Sequence, residues 1–104
     1  MELNQIQKDV IQNKKNHGWE IGNIEQEFNY MRGEVEEAYE AYKYKKDDLG
    51  LELADVAIYL LGISEMLGFS LEEQINKKME INSHRVYKYV DGKYVKVDNR
   101  DNID

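Results

Sequence analysis

Apolar residues recur along most of this chain at intervals of three and four, the period of helices packed on one side. Leu3, Ile6 and Val10, with Lys14 in line, mark the stripe of a first helix over about Glu2–Asn16, which "HGW" ends. Asn23 is a good N-cap for a second helix reaching about Lys45, whose stripe runs through Phe28, Met31, Val35, Ala38, Tyr39 and Tyr42. A third helix starts near Asp47 or Asp48 and ends at Gly68. It is apolar on nearly every side, as a helix covered on most of its faces is. A fourth opens on the capping-box pattern Ser70-Leu-Glu-Glu73 and continues to about Arg85. There the period changes to two: "VYKYVDGKYVKV" alternates around Asp91-Gly92, the mark of a tight β-hairpin. The expected fold is all-α, four helices within residues 1–86, with a small C-terminal hairpin over 87–97 and a disordered tail over 98–104.

Composition narrows the function classes. At 104 residues the chain is expected to form one domain. A net charge of -7 argues against a dedicated nucleic-acid surface, which would be basic. With no cysteine there is no disulfide, thiol nucleophile or zinc-thiolate site. "MELNQIQKDV" lacks a basic-then-apolar leader pattern, and the apolar run Val56 to Ser64 is far short of the roughly 20 residues of a membrane span. The expectation is a soluble cytoplasmic protein with neither nucleic acid nor membrane as partner.

Two acidic pairs then stand out, Glu34-x-x-Glu37 and Glu52-x-x-Asp55. Each is spaced i, i+3, so both carboxylates of a pair share a helix face. Most helical glutamates simply face water. On the third helix, however, Glu52 and Asp55 are the only charges before Glu65, and their stripe continues through Tyr59, Ile63 and Met66. Carboxylates at the start of a core-bound face need something to neutralise them. The two pairs are symmetric about the break between Tyr44 and Lys45, so an antiparallel helix pair brings all four acids to one level. On the fourth helix Lys78, Asn82 and Arg85 follow one line, and the turn at Gly68-Phe69 is expected to lay them near Glu52 and Asp55. Four carboxylates outnumber two cations, which leaves charge for a metal ion. Oxygen ligands without histidine or cysteine suit Mg²⁺ or Mn²⁺ rather than zinc. Acid-bound Mg²⁺ beside lysine, asparagine and arginine is a recurring way to hold a polyphosphate. No Walker loop is present, and "DDLG" lacks the alternating oxygens of an EF-hand.

"GEVEEAYEA" followed by "ELADVAIYLLGISEMLGFSLEEQINKKMEINSHRVY" resembles the MazG-like family of all-α nucleoside triphosphate pyrophosphatases. The family pattern is Glu-x-x-Glu, a gap (here Ala38 to Leu51), Glu-x-x-Asp and then Lys-x-x-x-Asn-x-x-Arg, matched by Lys78, Asn82 and Arg85. Gly33 departs from it, since many relatives carry a further acid there. The resemblance implies Mg²⁺-dependent cleavage of a nucleoside triphosphate to monophosphate and pyrophosphate by a homodimer or homotetramer. Glu34, Glu37, Glu52 and Asp55 would be its metal ligands, with Glu37 also orienting water. Lys78 would act on the phosphates with Asn82 and Arg85 as substrate-binding partners. A phosphoribosylated adenine nucleotide is another substrate of the same fold. The competing class is a non-catalytic helical oligomer that binds nucleotides or a protein, its acids serving as structural ion pairs.

The remaining polar and aromatic residues carry less. His17 and His84 have no triad or metal partners in the sequence and read as surface residues. Trp19 can stack on a base or pack in a core or interface. Tyr30 and Tyr59 lie on the acid-bearing faces.

Overall fold

The computed structural model describes residues 2–99, with side chains as far as Val97. It contains α1 (Leu3–Asn16), α2 (Ile24–Lys43), α3 (Leu49–Leu67), α4 (Leu71–Ser83), β1 (Arg85–Val90) and β2 (Lys93–Asn99). The mostly helical order with a terminal hairpin is the architecture the periodicity predicts. The described residues fall into two compact units that divide between Leu71 and Glu72.

In the first unit α3 is the middle helix, packed against both α2 and α1. The covered face of α3 runs through Glu52, Val56, Tyr59, Ile63 and Met66, which is the expected stripe except that Asp55 is exposed and Val56 lies on the covered side. Gly62 lets α1 come close, because a Cβ there would stand 3.3 Å from Val10 Cγ1. Ile11, Ala38, Ala41, Leu61 and Ile63 form the buried apolar centre.

The orientation of α2 differs from the stripe expected for it. Its covered positions are Ile24, Gln26, Glu27, Met31, Glu34, Ala38 and Ala41. Met31 and Ala38 belong to both sets, but Phe28, Val35, Tyr39 and Tyr42 are exposed. Small side chains explain the rotation: Ala38 and Ala41 let the α2 backbone approach α3, where tyrosines would hold it off. As a result the glutamates line the helix–helix seam and the aromatic residues face outward.

Turn chemistry sets the helix ends. The Asn23 side chain accepts a hydrogen bond from the Gln26 N–H and caps α2. Gly68, at φ 83°, ends α3 in the left-handed region, where glycine carries no Cβ penalty. Helix α2 stops at Lys43 rather than Lys45, because Lys45 itself turns left-handed at φ 53° and Lys46 N–H bonds back to the Ala41 carbonyl.

The second unit holds α4 beyond its first residue together with the hairpin. Helix α4 ends at Ser83, two residues short of the expected limit, and Arg85 begins β1 opposite Asn99. The alternation Val86-Tyr87-Lys88-Tyr89-Val90 favours the strand at this point. Asp91 and Gly92 both have positive φ (51° and 83°), as a two-residue type I′ turn requires. Lys88 faces Val95 across the ladder, Tyr89 faces Tyr94 and Val90 faces Lys93, with a register shift between Val86 and Tyr87. The tail expected over 98–104 lies outside the described residues from position 100 onward, whereas the backbone of Asp98 and Asn99 belongs to β2. No single helix among the described residues is long and apolar enough to cross a membrane.

Candidate functional site

The seam between α2 and α3 carries acids at the end nearest their connecting turn. Glu34, Glu37 and Glu52 each offer a carboxylate oxygen, and these oxygens lie within 4.8 Å of one another. Glu34 and Glu52 are half-buried on the seam, and Glu37 is exposed at its edge. The Oε2 atoms of Glu34 and Glu52 are both buried and accept no hydrogen bond from the protein. Such oxygens are costly to desolvate unless a cation or proton meets them.

Acidity responds accordingly. Burial is the main cause that raises the Glu34 pKa above the ordinary carboxylate range, and the negative charges of Glu37, Asp55 and Glu52 add to it. Glu52 is raised by loss of water around it, then by Asp48, Glu37 and Asp55. Glu37 lies close enough to both for its carboxylate to act on each. The structure therefore brings together three of the four acids singled out by spacing. Asp55 is exposed and stands outside the trio, but it is near enough for its charge to act on Glu34 and Glu52.

Asp48 is a participant that the sequence reading treated only as a helix cap. Its side chain makes no cap hydrogen bond, and its charge is the largest charged influence on Glu52. The i, i+4 spacing from Asp48 to Glu52 was the signal available for it. Asp48, Glu37, Glu40, Ala41, Lys46 and Glu52 line an open hollow of about 310 Å³. A hard divalent cation fits this donor set: the ligands are carboxylate oxygens, two have buried unbonded atoms, and their mutual repulsion would be relieved by positive charge.

Further along the same seam, Lys14 Nζ of α1 lies 2.9 Å from Glu27 Oε1 of α2. Glu27 is only 5% exposed, and the contact is an ion pair without hydrogen-bond alignment. Lys14 also stands 5.5 Å from the Tyr59 ring centre and 6.0 Å from that of Trp19. Together with Asn23, Gln26 and Tyr30 these residues wall a cleft of about 410 Å³. Tyr30 and Tyr59 sit in it with ring centres 6.4 Å apart. Burial first, then the charges of Glu27 and Glu34, raises the Tyr59 pKa, so its hydroxyl stays protonated as a donor. Trp19 is half exposed and stacks on His17 with ring centres 4.5 Å apart. Lys14 appeared in the sequence only as the polar member of an apolar stripe. Its pairing with Glu27 had no local signal, because the two lie on different helices.

Lys78, Asn82 and Arg85 belong to the second unit. Lys78 and Asn82 are exposed, one helical turn apart on α4, while Arg85 is half-buried at the start of β1 rather than on the helix. His84 is exposed and bonds Glu80 at 2.9 Å. Compared with protein-family models, with curated proteins and with solved structures, the chain matches none.

Proposed function

We propose that this protein is a Mg²⁺-dependent nucleoside triphosphate pyrophosphohydrolase, releasing a nucleoside monophosphate and pyrophosphate. The observation that carries the proposal is the trio Glu34, Glu37 and Glu52, with two buried oxygens left unbonded at the α2–α3 seam. Glu34, Glu37 and Glu52 would hold the ion, with Asp55 adding charge to the site or a further ligand; Mn²⁺ meets the same donor requirements. A bound divalent ion supplies Lewis-acid polarisation of phosphate oxygens and offsets their charge.

The chain's own residues have distinct tasks in this reading. Glu37 is the solvent-facing member of the trio and the carboxylate best placed to accept a proton from an attacking water. Lys78, Asn82 and Arg85 keep the phosphate-binding roles that the sequence resemblance assigns them, with Lys78 and Arg85 stabilising developing negative charge. The aromatic cleft along the seam offers Trp19, Tyr30 and Tyr59 to the nucleoside, with Asn23 and Gln26 for its polar edges. Exposure of Leu51, Leu53 and Ile58 on α3 supports a homo-oligomer, since monomers rarely leave such a patch in water.

Pyrophosphate release measured over a panel of nucleotides, with and without Mg²⁺, tests the activity. Metal-dependent release from at least one of them is expected. Release from none would leave the acids as structural charges and favour a non-catalytic helical binding protein.

A further inference from the structure

The second unit has little interior of its own. None of the α4 residues is buried, and residues 86–97 are exposed on both faces of the two-stranded sheet. An isolated hairpin of this kind is only marginally stable in water. Its charge is also unlike that of the rest: residues 85–97 hold Arg85, Lys88, Lys93 and Lys96 against one acid, Asp91, in a chain of net charge -7.

The ladder sorts these residues into two faces. Lys88, Val90, Lys93 and Val95 share one of them, with Lys88 opposite Val95 and Val90 opposite Lys93. This is a checkerboard of two valines and two cations, with the lysines on a diagonal of roughly 7–8 Å. The outward face of α2 presents the complementary set. Val35 and Tyr39 are exposed apolar groups one turn apart, and Glu36 and Glu40, also exposed, are one turn apart beside them. One turn spaces those carboxylates about 6 Å along the axis, within reach of flexible lysine side chains on that diagonal.

We propose that the Lys88/Val90/Lys93/Val95 face of the hairpin docks on the Val35/Glu36/Tyr39/Glu40 face of α2 in a second copy of this chain. Valines cover Val35 and Tyr39, while the lysines meet Glu36 and Glu40. The second copy is favoured over nucleic acid because the partner surface must be acidic and partly apolar, and this chain displays such a surface itself. The inference does not depend on the hydrolase reading.

Charge reversal tests it on the full-length chain by light scattering at micromolar concentration. The wild type is expected to give at least twice the 12.3 kDa chain mass. The double variants Lys88→Glu/Lys93→Glu and Glu36→Lys/Glu40→Lys, each checked for retained helicity by circular dichroism, should show that mass at least halved. Mixing the two variants should restore it, a result that misfolding cannot produce. A monomeric wild type, unchanged mass in either variant, or no recovery on mixing would overturn the proposal. So would binding of a labelled single-stranded oligonucleotide that Lys88→Glu/Lys93→Glu abolishes without altering the mass.

Discussion

Two polar groupings lie at opposite ends of α3, and their states differ. Toward its C-terminal end Gln7 of α1 is buried, yet every polar atom of its amide is used. Its Nε2 donates to Glu65 Oε1 at 3.0 Å and to the Phe69 carbonyl, and its Oε1 accepts from the Leu71 N–H at 3.1 Å. Nearby, Ser70 Oγ donates to Asn4 Oδ1 at 2.6 Å. At the N-terminal end, Glu34 and Glu52 present buried oxygens without hydrogen bonds, and like charges surround them. Both groupings place polar atoms out of water at similar helix contacts. A satisfied neutral amide stabilises the fold, whereas unsatisfied carboxylates weaken it unless a proton or a cation meets them.

The largest expected effect on that contrast comes from emptying the satisfied end. Gln7→Ala leaves the Phe69 carbonyl and the Leu71 N–H without their partner and opens a void, at a cost of about 2–4 kcal/mol. Urea unfolding with an unchanged slope would measure it. A loss under about 0.5 kcal/mol would show that water replaces the amide without penalty.

At the other end the same kind of substitution should act in the opposite sense on stability. Glu52→Gln keeps the side-chain volume and removes one charge from a repelling group, so the metal-free protein should melt no lower than wild type. Turnover should nevertheless fall by about 100-fold, or ~2.7 kcal/mol in transition-state stabilisation. Mg²⁺ should no longer raise the melting temperature, an effect expected of wild type. Normal turnover in Glu52→Gln would remove this carboxylate from the site.

A subtler separation comes from pH. Glu34 and Glu52 have pKa values raised by folding, so the folded state binds protons more readily than the unfolded chain. Their contribution to stability is complete below the ordinary glutamate value of about 4.3 and is lost as pH rises through the folded values. Metal-free wild type should therefore lose stability as pH rises above about 4.3, and Glu34→Gln/Glu52→Gln should flatten the profile. Gln7→Ala should shift the curve down and leave its fall with rising pH in place, because Glu34 and Glu52 are untouched. Melting temperatures across that range decide between these shapes.

The smallest effect concerns the turn beside the acids. Lys45 is held at φ 53°, a conformation that costs a lysine roughly 1 kcal/mol and a glycine much less. Lys45→Gly should raise stability by up to about 1 kcal/mol while leaving turnover unchanged. A drop in turnover would instead tie this turn to the geometry of Glu37 and Glu52.

What was readable in advance follows from the range of the interactions involved. The acidic trio was accessible because i, i+3 spacing and symmetry about one turn are local, and a short antiparallel connection converts them directly into proximity. The Gly68 stop and the Asp91-Gly92 turn were readable for the same reason. The rotation of α2 was not: counting apolar residues favours Phe28, Val35, Tyr39 and Tyr42, but closeness to α3 selects Ala38 and Ala41. The use of Gln7 depends on atoms more than 50 positions away, and Lys14 finds Glu27 on a different helix, so neither leaves a periodic trace. Heptad spacing extends the fourth helix smoothly to Arg85, whose strand character shows only in the residues after it.

Trp19 is the chain's sole tryptophan, and it stands half exposed at the mouth of the cleft between His17 and Lys14. All of the protein's indole emission thus originates at one wall of the candidate binding site. A ligand that fills the cleft and displaces water from that ring should shift the emission to shorter wavelength. The molecule carries an optical probe already placed where occupancy would first be visible.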